Sequence, residues 1–90
     1  MPQRIETTVV VRQEEGWHAR PATEFARIVG EFGLPVVISR TDGEPVRGDS
    51  VLSLLTMGAR QGEQLSIQVD YEAQQETQAK QLLNVLSELF

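Results

Sequence analysis

The feature that most constrains this chain is a hydrophobic pattern that changes its period several times within 90 residues. Apolar residues at alternate positions predict strands, and apolar residues three or four positions apart predict helices. The sequence has no internal repeat, low-complexity segment or linker between these stretches. A chain that mixes both patterns in this way is expected to fold as one α+β domain, so we interpret residues 1–90 as a single domain.

The first part of the chain predicts a strand followed by a helix. Residues 5–12 are rich in β-branched side chains, which favour a strand. A helix is predicted from Ala19, with Pro21 in its first turn, where a missing N–H costs nothing. Gly30 and Gly33 mark the far end of this helix. Its apolar stripe consists of Ala22, Phe25, Ala26, Ile28, Val29 and Phe32.

The rest of the chain predicts three strands and two helices. Residues 34–41 and 46–49 flank a tight turn and predict a hairpin. A short helix is expected over 50–58, a fourth strand over 63–70, and an amphipathic helix within 71–90. One face of that last helix carries Ala79, Leu82, Leu83, Leu86 and Phe90.

The resulting order, β-α-β-β-α-β-α, favours a two-layer packing. Each of three amphipathic helices needs an apolar surface, and one antiparallel sheet can supply it. All helices then cover the same face and leave the other face in solvent, which suits the polar side chains of Glu6, Thr8 and Gln68. The predicted fold is an open-faced β-sandwich with a four-stranded antiparallel sheet.

Composition excludes several classes of function. Thirteen acidic residues outnumber eight basic ones, giving a net charge of −5, so a nucleic-acid-binding stripe is not expected. No apolar run reaches the roughly 18–20 residues of a membrane span, and the first residues do not resemble a signal peptide. Without cysteine, neither disulfides nor a thiolate metal site can form. This composition fits a cytoplasmic protein, and neither a metal nor a cofactor is expected.

The only histidine, His18, lies just before the predicted start of the first helix. The first backbone N–H groups of a helix have no helical partner and attract anions. Two residues further on, Arg20 supplies a planar fork of donors suited to phosphate oxygens. An imidazole with its ordinary pKa near 6.5 offers a neutral, nucleophilic nitrogen at pH 7. These features describe a histidine that could accept a phosphoryl group, although spacing alone also allows a histidine that only caps an exposed turn.

The stretch "GWHARPATEFA" resembles the active-site signature of HPr, the histidine-containing phosphocarrier of the phosphoenolpyruvate-dependent sugar phosphotransferase system. That signature reads glycine, a hydrophobic residue, histidine, any residue, arginine, proline and alanine, and residues 16–22 match it in order. The segment "DSVLSLLTMGARQGEQLSI" resembles the second signature of the family, and the two lie at the right separation. The resemblance covers essentially the whole chain.

The resemblance implies the same open-faced sandwich and a specific role. Enzyme I, phosphorylated by phosphoenolpyruvate, would transfer its phosphoryl group to Nδ1 of His18, and the group would then pass to the IIA component of a sugar permease. By matching position, Arg20 and the first backbone amides of the helix would stabilise the transferred group. HPr-like proteins are carriers with a transient phosphohistidine and are not enzymes.

The short second helix is expected to contribute a docking surface next to His18. We expect Leu54 and Met57 to face the sheet, which leaves Val51, Leu52 and Leu55 for partners. The alternative is that all five belong to the core. Trp17 occupies a position where the family usually has Leu or Ile, and we predict that it contacts a partner or packs over the first helix.

Ser50 matches the serine that an HPr kinase/phosphorylase modifies in some bacteria. Its simpler role is to cap the second helix, a contribution of about 1 kcal/mol, and both roles are compatible. A phosphate at Ser50 would add roughly two negative charges to the docking surface and weaken docking to enzyme I.

Three questions remain open at the level of sequence. A paralogous carrier in a nitrogen-related or other regulatory phosphorelay would look nearly the same. A regulatory interaction module without phosphotransfer is a further alternative, although the presence of both His18 and Arg20 argues against it. Glu14 and Glu15 precede the glycine, and a carboxylate near a phosphohistidine would repel it, but the sequence does not say whether either acid points at His18.

Overall fold

The computed structural model describes residues 2–90 and has the predicted order of elements. The strands and helices are β1 (Gln3–Val10), α1 (Ala19–Phe32), β2 (Val36–Arg40), β3 (Val46–Arg47), α2 (Val51–Thr56), β4 (Gln64–Tyr71) and α3 (Glu76–Ser87). A single 3-10 turn, Ala73–Gln75, precedes α3. The four strands form one antiparallel sheet in the order β1-β4-β2-β3, with three helices on one face.

Strand β4 lies at the centre of the sheet and separates the two faces most clearly. Its side chains alternate between the core and the outer face, and Leu65, Ile67 and Val69 are fully or almost fully buried. On the outer face, Gln68 lies opposite Glu6 in β1, and its Nε2 atom donates a 2.9 Å hydrogen bond to Glu6 Oε1. The prediction that polar side chains line an open face is therefore confirmed.

The helices cover the inner face with the residues that the helical spacing indicated. In α1, five of the six predicted stripe residues are buried, and Phe32 is partly buried. The helix ends at Gly33, whose left-handed backbone (φ 72°) lets its N–H donate to the carbonyl of Val29. In α3, Ala79, Leu82 and Leu86 are fully buried, while Leu83 and Phe90 pack against the core from its edge.

Several predicted element boundaries were wrong by one or two residues. The first strand spans Gln3–Val10 rather than 5–12, because Val11 bonds to the 62–63 loop instead of continuing a ladder. The hairpin strand beginning at Val46 ends at Arg47, where Gly48 turns the chain towards α2. Helix α2 is also shorter than 50–58, and Tyr71 belongs to β4, where it pairs with Gln3.

Two loops at one end of the sheet are bound to each other, and they hold the segment before α1. Val11 N–H donates to the carbonyl of Glu63, and Gly62 N–H donates to the carbonyl of Val11. Further along, Trp17 N–H donates a 2.9 Å hydrogen bond to the carbonyl of Ala59. Gly16 fits this contact because its φ of 76° is left-handed and a Cβ there would lie 2.6 Å from the Ala59 oxygen.

Replacement Gly16→Ala is expected to destabilise the fold strongly. A left-handed backbone alone costs an L-residue about 1–2 kcal/mol, and the overlap with the Ala59 carbonyl adds to that cost because a backbone atom cannot move aside easily. Urea unfolding followed by circular dichroism measures the change in the free energy of unfolding.

The matched control is Gly62→Ala. Gly62 is also left-handed (φ 87°), but no atom lies within 4 Å of the added Cβ, so only the conformational cost should appear. Equal losses for the two variants would show that the close approach at Gly16 contributes nothing.

Candidate functional site

His18 occupies the N-cap position of α1 and presents its imidazole to solvent. Its backbone is extended (φ −109°, ψ −172°), and its carbonyl accepts the first helical hydrogen bond, from Ala22 N–H. The side chain makes no capping hydrogen bond and is 43 % exposed. The alternative that His18 serves only as a side-chain cap is therefore not supported by the geometry.

The surroundings of His18 offer unpaired donors. Within residues 2–90, the guanidinium of Arg20 has neither an ion pair nor a hydrogen bond, and it is exposed. The backbone N–H groups of Ala19 and Arg20 likewise have no acceptor in the described chain, as expected for the first two positions of a helix. Pro21 follows at the third position, where it has no N–H to leave unpaired. The site thus combines one guanidinium and two amides next to one imidazole.

A shallow surface depression connects His18 to Arg20 and to the region of residue 89. It is lined by Gln13, His18, Arg20, Pro21, Glu24 and Leu89. The acidic residue in this set is engaged elsewhere, because Arg27 donates to Glu24 and lowers the pKa of that carboxyl group. The depression is therefore less negative than the overall charge of the chain suggests.

Trp17 was predicted as a docking residue, and as an exposed contact this prediction is wrong. Its side chain is only 5 % exposed, and its ring packs edge-on against Phe25 of α1, with the ring centroids 5.3 Å apart. The other half of the prediction, packing over the first helix, describes what the structure shows. Burial of the large indole fixes the backbone immediately before His18, so Trp17 supports the position of His18.

The sequence reasoning missed the contribution of the segment after α3. The ring of Phe90 packs edge-on against Trp17 with the centroids 4.5 Å apart, and Gln13 Nε2 donates a 2.8 Å hydrogen bond to the carbonyl of Leu89. The predicted apolar face of the last helix included Phe90, but nothing local in the sequence links that residue to a position more than seventy residues earlier.

One of the two acids before the glycine does point at the imidazole. Glu15 Oε2 lies 3.4 Å from His18 Nε2, and the Glu15 side chain is 74 % exposed. Glu14 makes no such contact within residues 2–90. The sequence left open whether either acid points at His18, and in the structure Glu15 does.

Helix α2 exposes part of its apolar surface. Leu54 is fully buried and Met57 partly buried, in agreement with the prediction that both face inward. Leu52 is 72 % exposed and Leu55 is 36 % exposed, whereas Val51 is half-buried and packs against the core. The alternative in which all five residues are core is therefore wrong.

Ser50 caps α2 as predicted, because its Oγ accepts a 3.2 Å hydrogen bond from Ser53 N–H. The neighbouring Asp49 does not face Ser50 as a free charge. Both of its carboxylate oxygens accept hydrogen bonds from Arg47, at 3.0 and 2.8 Å, and this partner lowers the pKa of the Asp49 carboxyl group.

The described chain has no cluster of three or more potential metal-ligating side chains. None of its helices is both long enough and apolar enough to cross a membrane.

Comparison with solved structures defines the class of fold. The chain superposes on the phosphocarrier protein HPr from Bacillus anthracis with a TM-score of 0.81, 22 % sequence identity and coverage of 96 % of this chain and 95 % of that one. A histidine-containing phosphocarrier protein from Mycoplasma gives the same TM-score at 20 % identity, with 94 % and 90 % covered. At these identities the likeness shows the fold, which is that of phosphocarrier proteins.

Sequence comparison then shows the family. Residues 5–90 match the family described as PTS-HPr, "PTS HPr component phosphorylation site". The chain is 43 % identical over 67 residues to the phosphocarrier protein HPr of Streptomyces coelicolor, covering 74 % of this chain and 72 % of that protein. The chain belongs to the HPr family, whose members are phosphocarriers rather than enzymes.

The chain also resembles relatives that carry names other than HPr. The chain is 25 % identical over 75 residues to the phosphocarrier protein NPr of Escherichia coli, with 83 % of both proteins covered. It also matches 58 residues of the multiphosphoryl transfer protein of Salmonella typhimurium at 33 % identity, which is 62 % of this chain but only 15 % of that protein.

The contact between Trp17 and Phe90 predicts the effect of Phe90→Ala. Removal of the ring should expose the indole, shift the fluorescence of Trp17, the only tryptophan, to longer wavelength, and lower the free energy of unfolding by about 1–3 kcal/mol, less than for a fully buried ring. Emission spectra and urea unfolding measure the two effects.

Phe32→Ala is the control, because Phe32 is also partly buried but has no ring contact with Trp17 in the described chain. It should lose stability with little change in emission. A red shift of the same size in both variants would contradict the specific role of Phe90.

Proposed function

We propose that the chain accepts a phosphoryl group on Nδ1 of His18 from phosphorylated enzyme I, with phosphoenolpyruvate as the original donor, and passes it to IIA components of sugar permeases. The observation that carries the proposal is the exposed, non-capping imidazole beside the unpaired guanidinium of Arg20 and the free N–H groups of the first helical turn. We also propose a cytoplasmic location, in keeping with a chain that has no cysteine.

The chemistry asks little of the protein beyond position and charge. The lone pair of Nδ1 attacks phosphorus, the N–P bond forms, and the bond to the donor atom breaks. In the second transfer, an acceptor atom of another protein attacks phosphorus and the N–P bond breaks, which releases the group from His18. An imidazole that neither caps the helix nor lies in the core needs little reorganisation to meet the donor, and preorganisation of this kind is a main source of catalysis in such transfers.

Arg20 and the start of α1 are proposed to hold the transferred phosphoryl group. A guanidinium pairs with two phosphate oxygens at once, and helix N-terminal amides with the helix dipole add further attraction. Because Arg20 has no acidic partner within residues 2–90, it need not leave an existing ion pair to bind the phosphoryl oxygens. One guanidinium and two amides form a modest cradle, which suits a group that must be released again.

The exposed apolar part of α2 is proposed as the docking surface for enzyme I and the IIA components. Leu52 and Leu55 are among the few large hydrophobic side chains that the described chain exposes. The loop after α2 is bound to the segment before His18 by the hydrogen bond from Trp17 N–H to the Ala59 carbonyl. A partner that covers α2 is therefore brought close to the imidazole, and Val51 would contribute the edge of the contact.

A phosphate on Ser50 is proposed as a regulatory modification by an HPr kinase/phosphorylase. Ser50 is half-buried at the start of α2, directly before Val51 and Leu52. A phosphate there would place negative charge in the docking surface and weaken docking, while the helix dipole would tolerate it.

A second candidate function is a regulatory phosphorelay, and a specific observation favours it. Relatives named NPr match 83 % of the chain, although at only 25 % identity. In this candidate the histidine chemistry is unchanged and only the donor and acceptor proteins differ. Transfer from the enzyme I of the sugar system, compared with the corresponding donor of an NPr pathway, separates the two candidates.

The test of the proposal is incubation with enzyme I and labelled phosphoenolpyruvate. The wild-type chain should acquire label that is stable to alkali and labile to acid, because a phosphorus–nitrogen bond breaks when the ring is protonated, and His18→Ala should acquire none. Label that persists in His18→Ala would refute the assigned acceptor.

Two further variants complete the experiment. Arg20→Ala should be labelled at the same residue but more slowly, with an unchanged circular dichroism spectrum, since only the phosphate-binding fork is removed. Lys80→Ala removes the same charge from α3, where the ammonium already pairs with Glu76, and should be labelled at the wild-type rate.

Replacement Leu52→Glu is expected to weaken docking to enzyme I, because a buried carboxylate without a partner is unfavourable in an apolar contact. The affinity, measured by isothermal titration, should fall while the stability of the domain is kept. The control is Val10→Glu, which changes another exposed hydrophobic residue, 46 % exposed, on β1 rather than α2. Equal affinities for Leu52→Glu and wild type would exclude α2 as the docking surface.

A further inference from the structure

Glu15 is the one acidic residue that contacts His18 in the described chain. Its Oε2 atom lies 3.4 Å from Nε2 of the ring. The carboxylate therefore contacts the ring nitrogen that is not Nδ1. Its neighbour Glu14 has the same charge and lies on the same turn but makes no contact with the ring within residues 2–90. Of the two adjacent carboxylates, only that of Glu15 is thus placed to act on the imidazole.

The backbone, rather than the exposed side chain, places Glu15 at this point. Gly16 N–H donates a 3.0 Å hydrogen bond to the carbonyl of Gln13, which closes a tight turn with Glu14 and Glu15 at its centre. The left-handed Gly16 and the hydrogen bond from Trp17 N–H to Ala59 then hold this turn against the neighbouring loop. The turn therefore carries Glu15 to a defined position beside the ring.

We propose that Glu15 is a positioning residue that holds the imidazole of His18 by Nε2, so that Nδ1 is the nitrogen that takes up phosphorus. This inference rests on the proposed function, because it concerns the same histidine. A carboxylate 3.4 Å from Nε2 attracts an N–H at that nitrogen and therefore favours the tautomer with the lone pair on Nδ1. A phosphoryl group on Nε2 would instead be placed directly against a negative charge.

Glu15 also matches the charge that the ring acquires during the reaction. When the Nδ1 lone pair forms the N–P bond and the bond to the leaving group breaks, the ring keeps its Nε2 proton and becomes cationic. The negatively charged carboxylate 3.4 Å from Nε2 stabilises that positive charge. When the phosphoryl group leaves, the electron pair of the N–P bond returns to Nδ1 and the ring is neutral again.

The other charged groups around His18 leave this contact undisturbed. Arg20 has no ion pair with Glu15 in the described residues, so the carboxylate is not drawn away from the ring and the guanidinium is not neutralised. Glu24, which lines the same depression, is bound by Arg27. Glu15 and Arg20 can therefore act on opposite sides of the reaction, one on the ring and the other on the phosphoryl group.

Chemical phosphorylation tests this assignment without any partner protein. Potassium phosphoramidate transfers its phosphoryl group to exposed imidazoles with loss of ammonia, and ³¹P NMR distinguishes the Nδ1 product from the Nε2 product. We expect mainly Nδ1 product for the wild type at early times. In Glu15→Ala the ratio of Nδ1 to Nε2 product should fall by about two- to fivefold, the range expected for loss of one exposed charge contact.

Glu14→Ala is the matched control, because it removes the same charge from the same turn, and it should keep the wild-type ratio. An unchanged ratio in Glu15→Ala, an equal fall in Glu14→Ala, or a wild type that forms mainly Nε2 product would each overturn the proposal. A purely structural role of Glu15 would not alter this ratio. Failure of the proposed function is recognised separately, as an absence of label from enzyme I on a wild-type chain that still shows the expected product ratio.

Discussion

The structure depends on a single apolar sheet surface that three helices must share. Strand β4 provides the centre of that surface, because its alternate residues Leu65, Ile67 and Val69 face inward and both of its edges are paired with other strands. Burial of apolar area is the main favourable term in folding a chain this small. Since every helix lies on the same side, the opposite face keeps polar pairs such as Glu6 and Gln68.

The site is supported by contacts among residues far apart in the chain. Next to His18 in the chain, the Trp17 ring packs against Phe25 and Phe90, which also contact each other. The backbone at the same point is bonded to Ala59, so the segment before α1, the loop after α2 and the chain after α3 meet in one place. An exposed imidazole on a well-supported loop can be accessible to large protein partners and still have a defined orientation.

The balance of charge around the imidazole suits a carrier rather than a permanent binding site. Many of the basic side chains are bound to acids, such as Arg4 to Asp70 and Arg40 to Glu63, while Arg20 remains free in the described chain. In several of these pairs the arginine lowers the pKa of the acid, as for Asp70 and Glu63. The net negative charge of the chain therefore says little about the local field at His18, where one guanidinium and two amides are unpaired in the described chain and one carboxylate, Glu15, contacts the ring.

Sequence patterns were sufficient for the element order, the faces of α1 and α3 and the membership of the family. They were less reliable for boundaries, because the end of β1 is set by Val11 bonding to a distant loop rather than by its own propensity. Trp17 shows the same limit for the site. The sequence left open whether it contacts a partner or packs over the first helix, and in the folded chain it packs against Phe25 and Phe90.

By itself, the sequence determined which groups are available: one imidazole, an arginine two residues later, a proline that opens a helix, and two acids before a glycine. These follow from local chemistry and from the short-range geometry of a helix N-terminus. Only the tertiary structure decided that Glu15 rather than Glu14 faces the ring, that Trp17 is buried, and that Phe90 supports the site. Those outcomes depend on side-chain directions and on contacts between residues far apart in the chain, which no local pattern contains.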